Sequence, residues 1–319
     1  MLRALKTRWK KLPPQYQQRV YRILKTTGLP YCLSYLADFK ELHNAAYFAG
    51  NLLWITEAYA RSSGADREAL TRAFLGIADH LVLTNGVRKT TYAQRQQAAL
   101  ATLLGSPEFR IPSETIRVLD IPSSIGIACL DSLEALERQY RVSAYVMADL
   151  YSFVQYDQAR ECVFDESGNL LQVRRGNRFF SVNRPHRSGD VYGLLARVAF
   201  APLDLLAWYL RRSYRFDPAR DVTRLLLVHP EVEARCGDGV LSLKSLDVFQ
   251  PIDGEYDLIL SFNLLQKNYF PPSQIAMGVD NLRHALRENG LLVIGDSEHF
   301  AVSRKSKGQL AEVYRSGEF

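Results

Sequence analysis

Two short apolar runs joined by one amphipathic segment constrain this chain more than any other feature. Within residues 255–298 (EYDLILSFNLLQKNYFPPSQIAMGVDNLRHALRENGLLVIGDSE) the run 258–262 closes on a polar residue, Asn263. A second run, 291–294, follows a break at Gly290. Apolar runs this short, bounded by turn residues, predict strands buried on both faces. An amphipathic helix between two such strands is the crossover of a parallel sheet. Open parallel sheets bind ligands beyond the carboxyl ends of their strands, where Asn263 and the residues after Ile294 fall.

The same pattern runs upstream. Residues 115–120 (TIRVLD) read as a strand ending in Asp120, the turn IPSSIG spans 121–126, and 127–140 opens a helix. Residues 142–149 (VSAYVMAD) give a second strand ending in Asp149, and 240–247 (VLSLKSLD) a third ending in Asp247. With the 258 and 291 strands these make a five-strand parallel set. An insertion, about 150–238, separates the second strand from the third. It holds a hairpin from Cys162 with turn residues Glu166 to Asn169, and an apolar helix at 191–210.

Residues 1–110 differ. Ala, Leu, Glu, Arg and Gln abound, and 41–60, 65–83 and 91–104 carry apolar residues at helical spacing. Breaks fall at Gly28–Pro30, Ser62–Gly64 and Asn85–Gly86, and 106–113 reads as a linker. With 319 residues the chain exceeds one compact core, so about two domains are expected: 1–110 helical, and 111–319 α/β.

Charge and rare residues narrow the function. The net charge is +6, and eight basic residues, Arg3 to Lys25, precede the first acid, Asp38. Such a start admits an anionic partner surface, lipid or nucleic acid. Four scattered cysteines without CxxC spacing argue against zinc and disulfides, and for a reducing, cytoplasmic setting. Pro13 and Pro14 interrupt the basic start, so no secretory signal is read, and no apolar stretch reaches about 18 residues. Arg197, Pro202 and Asp204 argue against a span at 191–210, which fits a lid, a homodimer interface or packing on the N-terminal helices, with peripheral bilayer contact as a further option. There is no G-x-G-x-x-G, no P-loop lysine and no G-x-S-x-G. The histidines 43, 80, 186, 229, 284 and 299 lack metal spacing, so no metal is expected.

Asp120-x-Pro122-x-Ser124-x-Gly126 occupies the spacing of the Asp/Glu-x-Gly-x-Gly-x-Gly loop of class I S-adenosylmethionine (SAM) methyltransferases, keeping the third glycine. Residues 240–298 resemble the CheR family of chemoreceptor glutamate methyltransferases in Asp247-Val-Phe, Tyr256-Asp-Leu-Ile, Asn263-Leu-Leu, Tyr269-Phe270 and Gly295-x-Ser-Glu298. Phe262 stands where that family has arginine, and its Cys-Ser-Thr-Gly-Glu-Glu loop is absent. The resemblance implies a Rossmann-like, mostly parallel sheet that transfers a methyl group from SAM to an acceptor (protein, lipid, sugar or small metabolite). It also implies positions: Asp120, Pro122, Ser124 and Gly126 at the methionine end, Asp149 on ribose, Asp247 facing adenine, and Asn263 near the methyl. No His or acid neighbours Asn263; Tyr269 lies a few residues on, and these two are the catalytic candidates. The alternatives are a non-catalytic module on a degenerate methyltransferase fold, or an adaptor that uses the basic start.

Overall fold

A computed structural model describes residues 48–86, 89, 94–176, 178–183, 194–237, 239–267, 269–296 and 298–317, the side chains of 79, 80, 178 and 194–200 excepted. The basic start, Cys32, His43, His186, the 28–30 break and residues 191–193 lie outside this set.

Seven strands form one sheet. They are β1 (Thr115–Asp120), β2 (Arg141–Asp149), β8 (Leu241–Ser245), β9 (Tyr256–Phe262), β10 (Leu286–Gly295), β11 (Phe300–Ser306) and β12 (Gln309–Arg315), in the order β12-β11-β10-β9-β1-β2-β8. The run from β10 to β8 is parallel throughout, which is the five-strand set read from the sequence. Every residue of β9 is buried, as a strand covered on both faces requires. β1 builds outward to β2 and β8, and the chain then returns to the other side of β1 with β9. That reversal puts the ends of β1 and β9 side by side.

Helices cover both faces. Helix α3 (Gln97–Gly105), α4 (Ile127–Glu137) and α6 (Pro230–Cys236) lie on one, and α7 (Pro272–Ala285) on the other. Pro272 opens α7 at a first-turn position where its missing N–H costs nothing. Residues 106–113 are no free linker, because Phe109 and Ile111 are buried in the same cluster as α3. The expected break at Gly290 is a bulge inside β10: Leu286 pairs with Tyr256 and Leu291 with Leu258, so 287–290 is looped out. β11 and β12 are an antiparallel meander at the edge that the sequence reading did not identify.

The insertion holds more than a hairpin and a helix. Its strands β3 (Phe153–Asp157), β4 (Cys162–Phe164), β5 (Leu170–Arg175), β6 (Arg178–Ser181) and β7 (Thr223–Leu226) form an antiparallel sheet, order β6-β5-β4-β3-β7. The expected hairpin is β4–β5. Successive side chains of β4 go to opposite faces. Val163 joins Val154 and Tyr156 in a core with α1 (Asn51–Arg61) and α2 (Gly64–His80), while Cys162 and Phe164 join Leu210 of α5 (Leu194–Ser213).

Candidate functional site at the carboxyl edge of the sheet

The turn after β1 is tied to both neighbouring strands. Ile121 donates its N–H to the Leu260 carbonyl (2.9 Å) and Ser123 donates to Ala148 (2.8 Å). The Ile121–Pro122 bond is cis, and Ser124 (φ +56°) and Gly126 (φ +78°) are left-handed. A side chain at 126 would stand 3.0 Å from Met147 Sδ and Val232 Cγ1, so glycine is demanded by helix-to-sheet packing. Gly126 caps α4.

Two acids at this edge are held by cations. Asp120 is fully buried at the end of β1. Its Oδ2 accepts from Gln96 Nε2 (2.8 Å), Cys129 Sγ (3.1 Å) and Tyr145 OH (3.1 Å), and Arg95 Nη2 lies 3.8 Å from Oδ1. The same Nη2 donates to the Pro122 carbonyl at 2.9 Å. Burial pushes the Asp120 carboxyl above its ordinary pKa, with Arg95 and the three donors pulling down. Burial, and then the charge of Asp120, raise Cys129 and Tyr145 well above theirs, so both stay protonated donors.

Asp149, at the end of β2, accepts the Ser124 N–H on Oδ2 (2.9 Å), while Oδ1 meets Lys89 Nζ at 2.6 Å and the Tyr151 N–H at 3.3 Å. Lys89 is buried; desolvation lowers its pKa, and Asp149 and then Glu166 work to keep the charge. Glu166, at the β4–β5 turn, accepts from the N–H groups of Ser152 (2.7 Å) and Phe153 (3.1 Å) and from Ser245 Oγ at the end of β8. It thereby docks the inserted sheet on the large one.

The remaining expected positions are less intimate. Asp247 lies two residues past β8, half-buried, and accepts the Phe249 N–H on Oδ1 (3.0 Å). Asn263 is left-handed (φ +59°), donates its N–H to the Gly295 carbonyl (2.8 Å) and accepts from Gln266 Nε2 (3.1 Å). Tyr269 is half exposed, its ring 6.4 Å from that of Phe270, which packs edge-on against Phe249. Direct bonds therefore unite Asp120, Pro122, Ser124 and Asp149 through Arg95 and the turn. Asp247 and Asn263 share the edge, and Tyr269 is tied to it through its backbone N–H, which donates to the carbonyl of Gln266 (3.0 Å), the residue that bonds Asn263. Among the described residues no cluster of metal-ligating side chains occurs. Sequence reasoning missed Lys89, Arg95, Gln96 and Glu166. The available signal was residues 81–107, which contain no acid, so their cations needed carboxylates from elsewhere.

Seven buried side-chain atoms among the described residues have no hydrogen-bond partner, and five belong here: Lys89 Nζ (ion-paired without hydrogen-bond alignment), Arg95 Nε, Asp120 Oδ1, Ser123 Oγ and Ser261 Oγ. Ser261 follows Leu260, the β9 partner of Asp120. Such atoms are rare in folded proteins and cost about 1–3 kcal/mol each. They cluster beneath the β1 turn and are sealed from solvent.

No protein-family model and no curated sequence matches this chain. Among solved structures, it is similar to the N-methyltransferase NodS from Bradyrhizobium japonicum in complex with S-adenosyl-L-homocysteine (11% identity, TM-score 0.29, covering 69% of this chain and 71% of that one). It is also similar to an O-methyltransferase family protein from Burkholderia thailandensis (13%, 0.31, 77% and 51%) and to the [4+2]-cyclase SpnF (11%, 0.28, 62% and 45%). The chain spans about half the length of the last two of these, 51% and 45%. Likeness of this strength carries no chemistry across to this chain.

Proposed function

We propose that this protein is a SAM-dependent methyltransferase whose cofactor lies over the β1 turn at the carboxyl edge. The observation that carries this reading is the pair of strand-end acids, Asp120 and Asp149, flanking the 121–126 turn with its left-handed Ser124 and Gly126, where the strand order reverses. SAM supplies an electrophilic methyl group on a sulfonium. The chain's own residues then bind and orient. Asp149 retains lone pairs for ribose hydroxyls beside its bonds to Ser124 and Lys89. The 121–126 turn and Arg95 serve the methionine end, Asp247 faces adenine, and Asn263 stands at the methyl. No described Asp, Glu or His adjoins Asn263 in sequence, which favours an acceptor that needs no strong base. The work of the site is in-line alignment.

One observation favours a second reading, a non-catalytic module on the same fold. Asp149 is already engaged by a buried lysine, as an acid retired from ligand duty would be. Calorimetric titration with S-adenosylhomocysteine separates the two. Wild type is expected to bind at micromolar Kd, and Asp149→Ala at least tenfold more weakly, about 1.4 kcal/mol. The Lys89→Met/Asp149→Ala double variant removes both charges of the buried pair, so lost binding there cannot be blamed on a stranded ammonium. No heat and no thermal stabilisation in the wild type would reject the methyltransferase and leave the module.

A further inference from the structure

Over residues 201–213, helix α5 carries a second apolar face that stands exposed among the described residues. Its inner face is accounted for: Leu210 is buried and Ala207 packs with Cys162, Phe164 and Val173. Yet of nine large apolar side chains that stand exposed among the described residues, four fall in 205–209: Leu205 (65% exposed), Leu206, Trp208 (56%) and Tyr209. A helix packed on one side of a sheet needs one apolar stripe and turns polar residues outward. Here the outward stripe is leucine and aromatic.

A basic collar adjoins that stripe. Arg212 and Arg215 are exposed, and the Arg212 guanidinium lies 5.7 Å from the Trp208 ring centroid, while Arg211 turns inward to donate to the Val182 carbonyl (2.8 Å) and Asn183 Oδ1 (2.9 Å). Arg175, from β5, lies 5.6 Å over the Tyr214 ring and donates to its hydroxyl at 3.0 Å. Residues 201–215 contain one acid, Asp204, and three arginines. Leucine with Trp and Tyr suits the boundary between acyl chains and headgroups, and the arginines suit lipid phosphates. No described helix is long and apolar enough to cross a membrane, so the contact would be in the plane of the surface.

We infer that the 205–215 face of α5 binds the surface of an anionic lipid bilayer. The partner is fixed by charge complementarity: an apolar protein groove would accept the stripe and leave the arginine collar unanswered. The inference is independent of the cofactor reading.

Flotation of the full chain with vesicles tests it. Vesicles of phosphatidylcholine with a phosphatidylglycerol fraction should carry the wild type at least tenfold better than phosphatidylcholine alone, and added salt should release it. Leu205→Ser/Trp208→Ser, at exposed positions, should lose at least tenfold of that binding with an unchanged melting temperature. Three outcomes overturn the proposal: no binding by the wild type; equal binding by the variant, which assigns the attraction to basic residues elsewhere; or a wild-type dimer that ignores vesicles and becomes monomeric in the variant, which makes a second copy the occupant.

Discussion

At the end of β2 an ammonium and a carboxylate sit 2.6 Å apart, both nearly shielded from water. Removing one partner of such a pair strands the other charge, at a cost of roughly 3–5 kcal/mol, whereas removing both is far milder. Lys89→Met should therefore destabilise by about that amount in urea denaturation, and Lys89→Met/Asp149→Ala should recover part of it. A double variant as unstable as the sum of its singles would show that the two residues do not act as a pair. Asp149 was legible in the sequence because an apolar run delivers it to a strand end. Its partner was not, since Lys89 stands among polar residues with no periodicity, and charge balance alone hints that it turns inward.

The five parallel strands were legible as elements because burial on both faces writes continuous apolar runs such as LILSF. The inserted strands, as short as the three residues of β4, are too brief for a period to show, and in β11–β12 polar residues dominate the exposed edge. Helix α6 offers a test at this scale. His229 is its cap: Nδ1 accepts the Glu231 N–H (3.3 Å), Nε2 meets Thr71 Oγ1 (3.1 Å), and the ring packs edge-on against Tyr59 and Phe74. Burial lowers its pKa below the ordinary 6.5, Glu231 opposing. The folded site thus resists a proton that the unfolded chain accepts. This contribution to stability is whole above pH 6.5 and falls as pH drops from there toward the depressed folded value. His229→Asn keeps a capping acceptor without the titration, so its melting temperature should fall less than that of wild type between pH 7.5 and 5.5. Parallel declines would remove His229 from the account.

The described residues form two sheets that meet at the carboxyl edge, where Glu166 and the Ser152–Ser245 hydroxyl contact join them. Glu166→Ala would leave the amides of Ser152 and Phe153 without their acceptor, at roughly 1.5–3 kcal/mol for a hydrogen bond to a charged group. Limited proteolysis should then cut first within 153–226 while the seven-stranded sheet persists; cleavage spread evenly over the chain would show that the joint is not local. The reversal of strand order has another consequence, one of timing. β1 is synthesised well before β9, its partner on one side, which is made only after the entire insertion. Until then the middle of the sheet is an open edge flanked by apolar side chains, the condition in which nascent chains pair wrongly or aggregate. The segment from residue 256 onward is what closes it, so a chain truncated before residue 256 keeps β1, β2 and β8 but has a sheet without a centre.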